Sequence, residues 1–369
     1  MFISNLLLFL IALSLLIFIH ELGHFLFAKL FKVYCMEFSL GMGPAIISKK
    51  FKKDPETTYS LRCLPIGGYV AMAGETQDNE QEKDLNIPYE RTINGIKAWK
   101  RAIVVVAGVV FNFIFALILI AVLIFGQGTD LNKITVQENS IIYNAGLRDS
   151  DRILSVSDNI ITENGETIYS SCLDTCNIRR ITKFEKIINK NNPTKPEQNQ
   201  SITIKYSRDN EVFTTTVTRS YDSASSGAEK FGIGAVVEVP GLFEGIRITF
   251  EEFGEIMVLM FQAIGSLFTK EGFSQVGGPV QVYTVSAQMA SQGFFSYVWF
   301  LAIISINLGF FNLLPIPGLD GARFFISIGE MVTNKKFNPK IESYINMAGM
   351  LLLFGLMIVV TIKDVFMLF

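Results

Sequence analysis

Histidine is nearly missing from this chain: 369 residues contain two, His20 and His24. Imidazole chemistry, whether metal ligation or proton transfer near neutral pH, therefore has a single possible address. Charge is the second shortage. Asp, Glu, Lys and Arg make up 18% of the residues, against about 25% in soluble domains, while 50% are hydrophobic and the mean hydropathy is +0.37. An ordinary soluble domain and a disordered chain are both excluded. The net charge of −2 gives no clustered basic surface, so nucleic acid is not expected as a partner. Four cysteines add little: a Cys172-x₃-Cys176 pair without further ligands is a weak zinc signal, although a disulfide between them would be allowed outside the cytoplasm.

What the chain has instead is long apolar runs. Residues 1–28 contain no Lys or Arg, and Glu21 is their only charge. As a helix they would be roughly 42 Å long, enough to cross a hydrocarbon core of about 30 Å. A cleaved signal peptide would need a basic n-region and a shorter apolar core, so a retained span is expected. Further spans are expected at 102–126, interrupted by Asn112, at about 296–314, and at about 345–362. Pro315, Pro317 and Gly318 imply that the third helix breaks near one membrane face.

Basic residues close to the spans orient the chain. Lys29, Lys32, Lys97, Lys100 and Arg101 border the first loop, and Arg323, Lys335, Lys336 and Lys340 lie in the last, so both loops are expected in the cytoplasm. The termini and the segment 127–292 then lie outside. On this orientation His20 and His24 sit about 14 and 8 Å inside the cytoplasmic boundary, and Asn112 about 16 Å inside. Asp320, three residues before Arg323, lies near the same face. Polar groups from three separate segments approach one level of the membrane.

His20-Glu21-Leu22-Gly23-His24 is an H-E-x-x-H pattern. On a helix, residues i and i+4 share a face, so two imidazoles can converge on one Zn²⁺ while the intervening Glu reaches its water. Ionisable groups inside a membrane helix are costly and point to function. A catalytic zinc site takes three protein ligands and keeps an open position. With no third His, the remaining ligand must be Asp, Glu or Cys, and Asp320 at the end of the apolar third span is the strongest candidate.

HELGH at 20–24, together with Asn312-Leu-Leu-Pro315-Ile-Pro317-Gly-Leu319-Asp320-Gly321, resembles the site-2 protease family of intramembrane zinc metalloproteases, in its bacterial RseP/RasP-type branch. Leu64-Pro-Ile-Gly67-Gly68-Tyr-Val70 is similar to that family's hairpin after the first span. Two positions depart from the family pattern: Val109 stands where Gly-Pro-x-x-Asn has Pro, and Ala322 where L-D-G-G has its second Gly. The resemblance implies His20, His24 and Asp320 as zinc ligands, Glu21 as general base, and a substrate strand held by Asn312 with Pro315, Pro317, Gly67, Gly68 and Asn112 nearby. It also implies that 32–101 carries a membrane-reentrant β-hairpin beside the active site, where an unwound substrate segment can add as a strand.

The segment Asn144-Ala-Gly-Leu147 followed by Asp149-Ser-Asp151-Arg-Ile-Leu154 resembles a PDZ domain, with Ser150 in place of the usual Gly. Residues 127–220 have room for one such domain, with a polar insertion at 189–200. The expected fold is thus a multi-pass α-helical membrane protein with four transmembrane helices, a membrane-associated β-hairpin and one extracytoplasmic α+β PDZ domain. Its divisions are 1–31, 32–101, 102–126, 127–220, a connector 221–292 with an amphipathic helix from about 245 to 268, a third transmembrane segment 293–322, a cytoplasmic loop 323–344 and a last helix 345–369. The expected function is intramembrane proteolysis of single-span proteins such as anti-sigma factors or remnant signal peptides. A non-catalytic membrane scaffold that holds peptides through its PDZ domain is the alternative. A transporter is disfavoured by the lack of an internal repeat.

Overall fold

The computed structural model describes residues 2–75, 85–163, 166–170, 176–177, 198–222, 227–228, 230–267 and 277–366. The proposed Cys172–Cys176 disulfide and most of the 189–200 insertion lie outside the described residues. The chain divides into two compact units, one formed by 1–123 with 246–369 and the other by 124–245.

Among the described residues four helices are long and apolar enough to cross a membrane: α1 (Phe2–Leu30), α2 (Ala98–Gln127), α6 (Phe294–Leu313) and α8 (Pro339–Phe366). Such uninterrupted helices follow from runs of Leu, Ile, Phe, Val and Ala, which in lipid must satisfy every backbone group internally. α1 stops where Lys32 takes the left-handed conformation at φ +64, and the Val33 N–H closes back on the Ala28 carbonyl at 2.9 Å.

Between α1 and α2 lie β1 (Cys35–Phe51) and β2 (Asp54–Met72). The hairpin folds across itself. Residues 35–40 pair on one side with 68–72, as in Phe38 with Val70, and on the other with 58–61, as in Phe38 with Tyr59. Residues 45–51 pair with 54–62. Two strands therefore make a sheet four segments wide, with 68–72 along one edge. Gly67 makes the turn into that edge at φ +84, and a Cβ on Gly68 would meet the Ser39 carbonyl oxygen at 2.7 Å, so the close crossing needs glycine. Phe25 of α1 stacks on Phe38 with ring centroids 4.8 Å apart, and Val33, Val70, Met72, Ile93 and Val104 complete this core.

The break in the third span is complete. After Leu313 the chain breaks into two tight turns, the Ile316 N–H reaching the Leu314 carbonyl across Pro315 at 2.7 Å and the Leu319 N–H reaching the Ile316 carbonyl across Pro317 and Gly318 (φ +93) at 3.1 Å, before a new helix starts, α7 (Asp320–Thr333). Asp320 is thus the first residue of a separate helix and does not terminate the transmembrane segment expected at 293–322. Its carboxylate sits where the helix N–H groups favour negative charge. The loop expected at 323–344 is largely helical, because α7 packs Gly321, Ala322 and Ser327 inward and α8 begins at Pro339. The connector contains α4 (Leu242–Leu267) and α5 (Pro279–Ser291).

The second unit is built on an antiparallel sheet. Its elements are β3 (Thr129–Val136), α3 (Ile141–Asn144), β4 (Arg152–Glu163), β5 (Glu166–Ser170), β6 (Cys176–Asn177), β7 (Gln198–Arg208), β8 (Glu211–Asp222), β9 (Gly227–Ala228) and β10 (Ile233–Glu238). The main sheet order is β10-β3-β4-β7-β8-β9. Because β10 pairs with β3, this unit runs past residue 220, where the sequence placed its end. Ile134, Ile142, Leu147, Ile153, Ile202, Ile204 and Phe231 fill its core. Asp151 is buried and clamped by Arg208 at 2.7 Å, and Ser150 beside it is held at φ +72.

Candidate metal centre

The α-helical repeat of α1 sets His20 above His24, with their Nε2 atoms 3.2 Å apart. The start of α7 brings in Asp320, whose Oδ2 lies 2.9 Å from His20 Nε2 and 3.2 Å from His24 Nε2. The three ligand atoms all fall within 4.8 Å of one another, the one such group among the described residues. Both histidines are 6% exposed.

The far side of each imidazole is also held. His24 Nδ1 lies 2.9 Å from the Val104 carbonyl of α2, which requires Nδ1–H and leaves Nε2 with a free lone pair. His20 Nδ1 lies 3.0 Å from the Asn112 side-chain nitrogen, while Asn112 Oδ1 is buried without a partner. Turned over, the amide accepts from His20 Nδ1–H, and His20 Nε2 is then also free to bind a metal. Two imidazole nitrogens and one carboxylate oxygen converging in a buried place are a donor set that fits Zn²⁺.

Glycines let the helices come this close. A Cβ on Gly108 would lie 2.4 Å from His24 Nε2 and 2.8 Å from His20 Cε1, and one on Gly23 would lie 2.5 Å from the Ala107 carbonyl oxygen. On α7, a Cβ on Gly321 would strike the Leu314 carbonyl oxygen at 2.1 Å. None of these three was singled out as a site residue from sequence; for Gly108 the available signal was its place four residues before Asn112.

A cavity of about 280 Å³ opens on the cluster. His20, Glu21, His24, Asn312 and Asp320 line it, with Val70 and Met72 from the sheet edge and Glu75 and Arg323 as an ion pair. The other expected residues stand back from it. Asn112 acts from behind His20, Gly67 and Gly68 shape the sheet, and Pro317 packs its backbone against Gly349 of α8. Pro315 lies in the turn between α6 and α7, spanned by the Ile316 N–H to Leu314 carbonyl bond, and does not line the cavity.

Helices long and apolar enough to cross a membrane, together with a buried cluster of two imidazoles and a carboxylate, are the features of a membrane-embedded metalloenzyme. The family model "Peptidase family M50" matches residues 8–356. A provisionally named zinc metalloprotease of Clostridium perfringens is 35% identical over 360 residues, 96% of this chain and 97% of its own length. A second from Clostridium acetobutylicum is 31% identical, covering 98% of this chain and 97% of its own. The regulator of sigma-W protease RasP of Bacillus subtilis is 28% identical over the full length of both chains. The chain belongs to peptidase family M50, the site-2 protease family, and is a site-2-type zinc metalloprotease.

Proposed function

We propose that the protein is an intramembrane endopeptidase in which His20, His24 and Asp320 hold the zinc and Glu21 is the general base. The observation that carries this reading is the meeting of three ligand atoms from helices 300 residues apart, in a cavity that Glu21 also lines. A zinc ion held by these three residues would supply the Lewis acidity that makes water a nucleophile near neutral pH. Glu21, which lines the same cavity, would serve as the general base, taking a proton from the attacking water and giving it to the leaving amine. Asn112, behind His20, orients the imidazole and is a positioning residue.

The substrates are single-span membrane proteins, with anti-sigma factors and remnant signal peptides as the classes. An unwound segment of such a helix adds to the edge 68–72, whose Val70 and Met72 face the cavity, and Asn312 holds its backbone. Gly67 and Gly68 support that edge, and Pro315 and Pro317 support the opposite wall. The active site lies toward the cytoplasmic face of the cell membrane. The termini and the second unit lie outside, and that unit is a PDZ domain that binds peptide ends.

Purified protein should carry stoichiometric zinc. Glu21→Gln should keep the metal and lose cleavage of a single-span reporter, whereas His24→Ala should lose both. Cleavage by Glu21→Gln, or a zinc-free active sample, overturns the reading.

A further inference from the structure

A second cavity of the first unit, of about 970 Å³, opens where α1 ends and α2 begins. Four separate stretches of chain send cations into it: Lys29 in the last turn of α1 with Lys32 just after it, Lys53 at the β1–β2 turn, Arg91 in the short turn 89–91, and Lys97 just before α2 with Lys100 in its first turn. Three carboxylates also line it, and two of them are committed. Asp54 accepts from Lys29 at 2.7 Å, and Glu56 takes both arms of Arg91 at 2.7 and 2.8 Å. The third, Glu90, is exposed. Lys32, Lys53, Lys97 and Lys100 have no ion-pair partner among the described residues.

The cleft is more than a basic surface. Phe25, Phe31 and Tyr59 form an apolar wall beside the cations, and Lys100 lies over the rings of Phe31 and Trp99 at 5.5 and 5.6 Å. Trp99 is half exposed at the mouth of a spanning helix, where indoles mark the headgroup level of a bilayer. Leu26 and Leu30 leave an exposed apolar face on the adjoining last turns of α1. A small inorganic anion would use the cations alone, whereas an amphiphile uses the cations, the aromatic wall and the apolar flank together.

We propose that this cleft binds an anionic phospholipid, its phosphate among Lys32, Lys53, Lys97 and Lys100 and its chains along α1. Basic pockets at span ends hold such headgroups by charge and by shape. The inference rests on α1 and α2 spanning the membrane and not on the metal centre, so lipid binding and proteolysis fail independently.

The first test uses the unaltered full-length protein. A phosphatidylglycerol analogue with a photoreactive headgroup, presented in phosphatidylcholine nanodiscs, should label peptides containing residues 29–33 and 97–100; labelling confined to other regions overturns the proposal. The second compares Lys32→Ala/Lys97→Ala/Lys100→Ala with the matching triple Arg variant. At about fivefold per lysine, the alanine variant should retain phosphatidylglycerol roughly 100-fold more weakly, and the arginine variant should retain it like the parent. Equal retention by the alanine variant refutes the site. So does a rise in thermal midpoint with inorganic phosphate alone that matches the rise with phosphatidylglycerol.

Discussion

Gly108→Ala offers a way to separate what the metal site needs from what the helix needs. A methyl group there would lie 2.4 Å from His24 Nε2, and ordinary contact begins near 3.4 Å, so the imidazole must yield by about an ångström. Two terms bear on stability. Crowding a packed interior costs about 1–3 kcal/mol, and replacing a helical Gly by Ala returns up to about 1 kcal/mol. The net loss of fold stability is therefore modest, about 0–3 kcal/mol. Ligand geometry has no such offset. Disturbing the group that orients a metal ligand costs about 10–100-fold in affinity, and here the ligand atom itself moves. The assay is zinc retained after dialysis against graded chelator, read beside the thermal midpoint of the zinc-free protein. Gly355→Ala is the control, because its Cβ meets nothing within 4 Å. The expected result is at least tenfold weaker zinc retention for Gly108→Ala, and unchanged retention for Gly355→Ala. Parental zinc affinity in Gly108→Ala would refute the close-packed ligand geometry.

Other substitutions test the surrounding structure. Asp364 of α8 is buried and accepts from the Gly278 and Gln281 N–H groups at 2.9 and 3.0 Å, capping α5 from another helix; Asp364→Ala should cost about 1–2 kcal/mol and speed amide exchange at 278–282. Ser150→Gly should raise the stability of the second unit by up to about 1 kcal/mol by relieving a left-handed serine, and a lowered denaturation midpoint would contradict that. At the cleft, burial opposes ionisation of Asp54 but hydrogen bonds from Lys29 and Tyr59 outweigh it, and Arg91 holds the Glu56 carboxyl below its usual range. Both folded values lie under the unfolded ones, so these pairs stabilise at neutral pH, and the contribution is lost as pH falls below about 4. Acid titration of the midpoint should be shallower in Asp54→Asn/Glu56→Gln, and an unchanged acid limb would exclude the pairs as its source.

The parts of this protein legible in its sequence are those whose physics is local. Four apolar runs declare spanning helices because a bilayer leaves backbone groups no other partner. His20 and His24 declare themselves because four residues make one helical turn, and Asp320 because an acid beside an apolar, proline-broken stretch needs a reason. The hairpin was legible as two strands, but its folding back so that 35–40 pairs on both sides depends on bulges that no alternation pattern announces. The same holds for β10, which joins β3 across about a hundred residues and carries the second unit beyond its expected end.

Composition and spacing alone thus pointed to a membrane protein with half of the proposed metal site on its first helix, since both follow from contacts within a few residues. The tertiary structure decided the rest. It made Asp320 the opening residue of its own helix, set Asn112 behind His20, and gave Gly23 and Gly108 their purpose. The physical reason is that a ligand atom within 4.8 Å of two others, from residues 300 positions apart, is fixed by how closely helices pack. That closeness is set by the absence of a methyl group, which a sequence records only as glycine.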